Sequence, residues 1–67
     1  MKKYVIVKDG LVFWGAITPK RIISAFTNEK SQAAKLTFKE ALRVSKILDN
    51  SKILSIKDFE EYKLNGN

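Results

Sequence analysis

The chain has no cysteine and no histidine. The first absence rules out disulfide staples and thiolate metal sites. The second removes the commonest general base and metal ligand. Together they exclude a zinc centre, whose ligands come from Cys, His and acids. Glycine is scarce, and Gly10, Gly15 and Gly66 form no phosphate-cradling loop. No run of alternating acids builds a calcium loop. The apolar run from Tyr4 to Val7 is too short for a secretory leader. Nothing approaches the ~20 apolar residues of a membrane span. The chain is therefore expected to be cytoplasmic and unprocessed, with no cofactor, no metal and no membrane partner. The acids that cluster are Asp58, Glu60 and Glu61. Paired carboxylates do acid–base work, but on an exposed helix start or tail they read as solvated charges. No enzyme is expected.

What is present fits one small domain over residues 1–67, with residues 65–67 as a frayed tail. A chain this short buries only ~60% of its unfolded surface, so its core is thin. The hydrophobic fraction of 45%, with 10% aromatic, is enough for a globular fold. The net charge of +6 is unevenly spread. Residues 1–20 carry four lysines against Asp9, a net +3; residues 21–48 carry six basic residues against Glu29 and Glu40, a net +4. Residues 49–67 carry three lysines against four acids, a net −1. Such a bias suits a polyanion partner and ordinary solubility alike.

Two β-rich runs flank Asp9-Gly10, a pair that favours a two-residue hairpin turn because both positions need positive φ. That register pairs Lys8 with Leu11, Val7 with Val12, Ile6 with Phe13 and Val5 with Trp14. One face then carries Tyr4, Ile6, Leu11 and Phe13; the other carries Val5, Val7, Val12, Trp14 and Ala16. Both are apolar, unlike an antiparallel sheet with one wet face. Thr18-Pro19-Lys20 breaks the second strand. Residues 21–28 read as a third strand, with Ile22, Ser24 and Phe26 on one face and Ile23, Ala25 and Thr27 on the other. Residues 28–32 connect, with room for a single helical turn.

Helical periodicity runs from residue 29 to residue 48, but Thr37-Phe38-Lys39-Glu40 fits a capping box, which sets the helix start at Phe38. Leu36 and Ala41 are spaced as a hydrophobic staple. The expected buried face is Phe38, Ala41, Leu42, Val44, Ser45, Ile47 and Leu48. Asp49-Asn50-Ser51 stops the helix, with Asn50 suited to a left-handed conformation. Residues 52–57 read as the last strand, and residues 58–64 as a short helical turn or its continuation. The fold class is α+β: a small antiparallel sheet in the order β-β-β-α-β, with one helix packed on one face.

The layout resembles the short phage- and prophage-encoded proteins of Gram-positive bacteria, through Ala34-Lys35-Leu36-Thr37-Phe38-Lys39-Glu40-Ala41 leading into the helix. The resemblance implies an accessory protein and no particular chemistry.

Two candidate sites follow. One helix covers one sheet face, so the Val5, Val7, Val12 and Trp14 face is expected to meet another protein or a second copy of the chain. The competing arrangement has residues 58–64, with Phe59, Tyr62 and Leu64, folded back over that face. The alternative site is a row of cations, Lys39, Arg43 and Lys46, extended by Lys35, facing nucleic acid. Any amphipathic helix also needs a polar face, and Lys and Arg serve there as good helix formers.

Overall fold

The computed structural model describes residues 2–65. Along the chain run β1 (Tyr4–Lys8), β2 (Leu11–Phe13), β3 (Ala16–Ile17), β4 (Ile22–Ile23), β5 (Phe26–Thr27) and a 3-10 turn (Lys30–Gln32). Then follow α1 (Phe38–Ile47), β6 (Lys52–Ser55) and α2 (Ile56–Glu61). The strands form a four-stranded sheet ordered β5-β2-β1-β6 and a two-stranded sheet of β3 and β4, every pair antiparallel. The architecture is α+β.

The first hairpin turns where Asp9 and Gly10 adopt φ of +53° and +77°, and it pairs Val7 with Val12 and Lys8 with Leu11. The expected pairs beyond these do not form, because residues 34–36 come between the strands. Ala34 N–H donates to the Phe13 carbonyl at 3.0 Å. Tyr4 and Leu36 exchange backbone bonds at 2.7 and 2.8 Å.

The third strand is split into β4 and β5, yet its register is single. Val12–Thr27, Phe13–Phe26, Ala16–Ile23 and Ile17–Ile22 share one offset. Trp14 N–H donates to the Ala25 carbonyl at 2.9 Å, in the same register. The break falls at Gly15, where a Cβ would run into the Ile23 carbonyl. Backbones approach there at a separation open only to glycine, and the ladder kinks. Thr18 closes the far turn, its N–H and hydroxyl both donating to the Arg21 carbonyl (2.8 and 2.9 Å).

The helix start is as expected. Glu40 N–H donates to the Thr37 hydroxyl at 3.2 Å, and Thr37 N–H donates to Glu40 Oε1 at 2.9 Å. Leu36 and Ala41 are buried in one cluster. Leu48 caps the other end, and Asn50 takes a φ of +60°. α1 lies on the Ile6 and Phe13 face, packing Ala41, Val44 and the half-buried Leu48 downward. The buried face is narrower than expected: Phe38, Leu42 and Ile47 are 50%, 39% and 57% exposed. At 100° per residue, Phe38 and Leu42 sit about a quarter turn to one side of the inward arc and Ile47 a quarter turn to the other.

The last strand ends at Ser55 rather than residue 57. The Ser55 hydroxyl accepts the N–H of Asp58 at 3.2 Å and starts α2 with no intervening loop. α2 crosses the second sheet face, so each face carries a helix, not one face alone. Asn65, expected to fray, is anchored: its N–H donates to the Gly10 carbonyl at 2.7 Å and its side-chain amide to the Asp9 carbonyl at 2.9 Å. The rest of the expected tail, Gly66 and Asn67, lies outside the described residues.

Candidate functional site

Sequence reasoning placed a contact surface at Val5, Val7, Val12 and Trp14. The structure separates these residues. Val5, Val7 and Val12 are buried in one cluster with Phe59 and Leu64, against which Ala33, Leu54, Ile56 and Tyr62 pack. The expectation that these three valines are exposed is therefore corrected, since the C-terminal segment covers them within the chain. The cover is pinned from both sides. Lys30 reaches across to donate to the carbonyls of Phe59 (2.7 Å) and Glu60 (3.1 Å), with its ammonium 5.0 Å from the centre of the Phe59 ring. The Asn65 bonds to the hairpin turn hold the other end.

The cover stops short of Trp14. In the shared register of β2–β3 against β4–β5, Phe13, Ile17, Ile22 and Phe26 belong to the α1 side and pack in that core. Trp14, Ala16, Ile23 and Ala25 alternate with them and lie on the side of Val12. Among the described residues nothing lies over them as Phe59 and Leu64 lie over the valines. Trp14 is 48% and Ile23 46% exposed, Ala16 is exposed and Ala25 half-buried. Pro19, Lys20 and Arg21, at the adjoining turn, are exposed too. The open end of the second face is thus an apolar strip beside a basic turn. Ile23 was missed as part of it. Folding residues 22–27 back on residues 12–17 about the Thr18-Pro19 turn would have placed it opposite Ala16.

Of the four cations in the alternative site, the structure brings three together. Lys39, Arg43 and Lys46 are exposed on the outward side of α1, away from Ala41 and Val44. They border an open depression of about 510 Å³, completed by Thr37, Glu40 and Leu42. Lys35 does not extend the row. It lies on the α2 side, bordering a depression with Val5, Lys30, Ile56, Phe59 and Glu60. Alternation explains this, because Leu36 faces the α1 core and its neighbour must face away. Glu40 interrupts the row with a negative charge. Its carboxyl is held below its ordinary value of 4.5, first by the backbone N–H of Thr37, which outweighs the opposing effect of desolvation, and then by smaller contributions from the Thr37 hydroxyl and the charges of Lys3 and Arg43.

Among the described residues no polar or charged side chain is buried. No group of three or more His, Cys, Asp or Glu among them is placed to hold a metal ion, and no helix is long and apolar enough to cross a membrane. Comparison with protein-family models, curated proteins and solved structures finds no match to this chain.

Proposed function

We propose that the protein is a non-catalytic interaction module, acting in the cytoplasm, that engages another protein through Trp14, Ala16 and Ile23. One observation carries this reading: a tryptophan and an isoleucine, each about half exposed, hold diagonal positions on the part of a sheet face that the C-terminal cover leaves open. Interface cores are enriched in Trp, and truncating such anchors usually weakens binding most. The basic turn beside the strip, with Lys20 and Arg21, suits a partner whose apolar pocket is rimmed by acids. The resemblance of residues 34–41 to phage- and prophage-type proteins supports an accessory role.

The exposed row of Lys39, Arg43 and Lys46 favours a second reading, contact with nucleic acid. One experiment separates the two. Proteins retained from native cell extract by the wild-type chain are compared with those retained by Trp14→Lys and by the triple Lys39→Ala/Arg43→Ala/Lys46→Ala variant. The interaction reading expects a defined protein lost with Trp14→Lys, kept with the triple variant, and little affected by salt. Retention of nucleic acid that vanishes with the triple variant and falls steeply with salt would replace it with the second reading.

A further inference from the structure

The four-stranded sheet ends on β6, whose outer edge has no neighbouring strand among the described residues. The direction of its backbone groups follows from β1. Tyr4 exchanges its backbone bonds with Leu36, on the β2 side. Tyr4, Ile6 and Lys8 therefore aim N–H and C=O toward β2, and Val5 and Val7 aim theirs toward β6. Val5 and Val7 lie opposite Leu54 and Lys52, which close the β1–β6 bonds. Ile53, with Ser51 and Ser55 two positions to either side, must then direct its N–H and C=O into the open edge.

α1 overhangs that edge. It starts where the rings of Phe38 and Tyr4 meet edge-on at 5.2 Å, and it ends before the turn that enters β6 opposite Val7. It therefore runs along β1 in the same direction. For a right-handed helix so placed, with Ala41 and Val44 downward, Phe38 and Leu42 fall on the flank toward β6 and Ile47 on the flank toward β2. The exposure of Phe38 and Leu42 is thus an apolar ledge above the open outer edge of β6.

We infer that β6 pairs antiparallel with β6 of a second copy, about a twofold axis at Ile53. The symmetry sets the register. A twofold normal to the sheet places one residue opposite itself, and that residue must carry outward backbone groups. Ile53 is the central one. It exchanges two backbone bonds with its own copy, and Ser51 comes opposite Ser55. Lys52 faces Leu54, so the two Lys52 charges are not opposed. Overhead, the two α1 helices meet along Phe38 and Leu42, with Lys39, Arg43 and Lys46 pointing away from the seam. The buried area is on the order of 1,000 Å² in total, the size at which specific interfaces begin, so the dimer is weak, with a Kd on the order of 10–100 μM. This surface is separate from the Trp14 strip and stands whether or not that strip binds a protein.

Sedimentation equilibrium from micromolar to millimolar concentration tests the pairing. The wild type approaches twice the chain mass at the upper end. Leu42→Lys, on the exposed ledge, weakens association by about tenfold or more, the effect of a buried unpaired charge, with the far-UV circular dichroism unchanged. In the wild type the amides of Ile53 and Ser55 gain protection from exchange as concentration rises. A strict monomer throughout overturns the inference. So does association that Trp14→Lys abolishes while Leu42→Lys leaves it intact.

Discussion

Replacing Phe59 by alanine removes the largest buried side chain of the cover over Val5, Val7 and Val12. Phe59 is 5% exposed and sits with Leu64 against the three valines. Taking ~130 Å² of ring surface out of that contact at ~25 cal/mol/Å² forfeits about 3 kcal/mol. A residual cavity adds to this, and the loss of the Lys30 ammonium–ring contact adds about 0.5 kcal/mol. The expected loss is about 3–4 kcal/mol. A domain of this size has roughly 3–10 kcal/mol of total stability, so the change consumes a large share of it. Urea unfolding followed by circular dichroism measures the loss. Binding of an apolar dye to the folded variant reports wetting of the valine face. Phe59→Leu keeps most of the cover and is expected to lose only about 1–1.5 kcal/mol. A Phe59→Ala loss below about 1 kcal/mol, with no gain in dye binding, would refute the covered second face.

Three further outcomes are expected. Thr37→Ala lowers stability by about 1 kcal/mol through loss of the cap, measured by the same urea titration; a change within a few tenths would mean the capping box does not set the start of α1. Glu40 has a folded pKa below its unfolded value, so its contribution is present above pH 4.5 and is lost as pH falls through the lower folded pKa. Glu40→Gln should flatten that acid limb of the stability–pH curve, and an unchanged limb would count against the Thr37–Glu40 pairing. Gly15→Ala forces a Cβ against the Ile23 carbonyl and should cost about 1–3 kcal/mol, with chemical-shift changes concentrated at residues 14–25. A neutral effect would show that the kink does not need glycine.

How much of this was legible in the sequence depends on the range of the forces involved. The Asp9-Gly10 turn and the Thr37–Glu40 box are local, resting on φ preference and a three-residue reach, and both appear where the sequence places them. The split of residues 21–28 was not legible, because it arises where Gly15 meets Ile23, two segments brought together only after the Thr18 turn closes. Periodicity marked Phe38, Leu42 and Ile47 as apolar positions of a helix. It carried no information about how little sheet lies beneath their flanks. The cover was visible only as an alternative: Phe59, Tyr62 and Leu64 are too few to show a period, and the Ser55 cap that starts α2 sits inside what reads as a strand. The candidate surface was legible at Trp14 alone. Its neighbour Ile23 required the pairing register.

The central claim is that a protein partner meets the chain at the open end of the sheet. Site-specific photo-crosslinking in the native cell, from a reactive residue at position 14 or 23, tests it most directly. The account predicts one defined protein adduct from both positions and none from position 43 on the outward side of α1. Adducts only from position 43, or to nucleic acid, would contradict it.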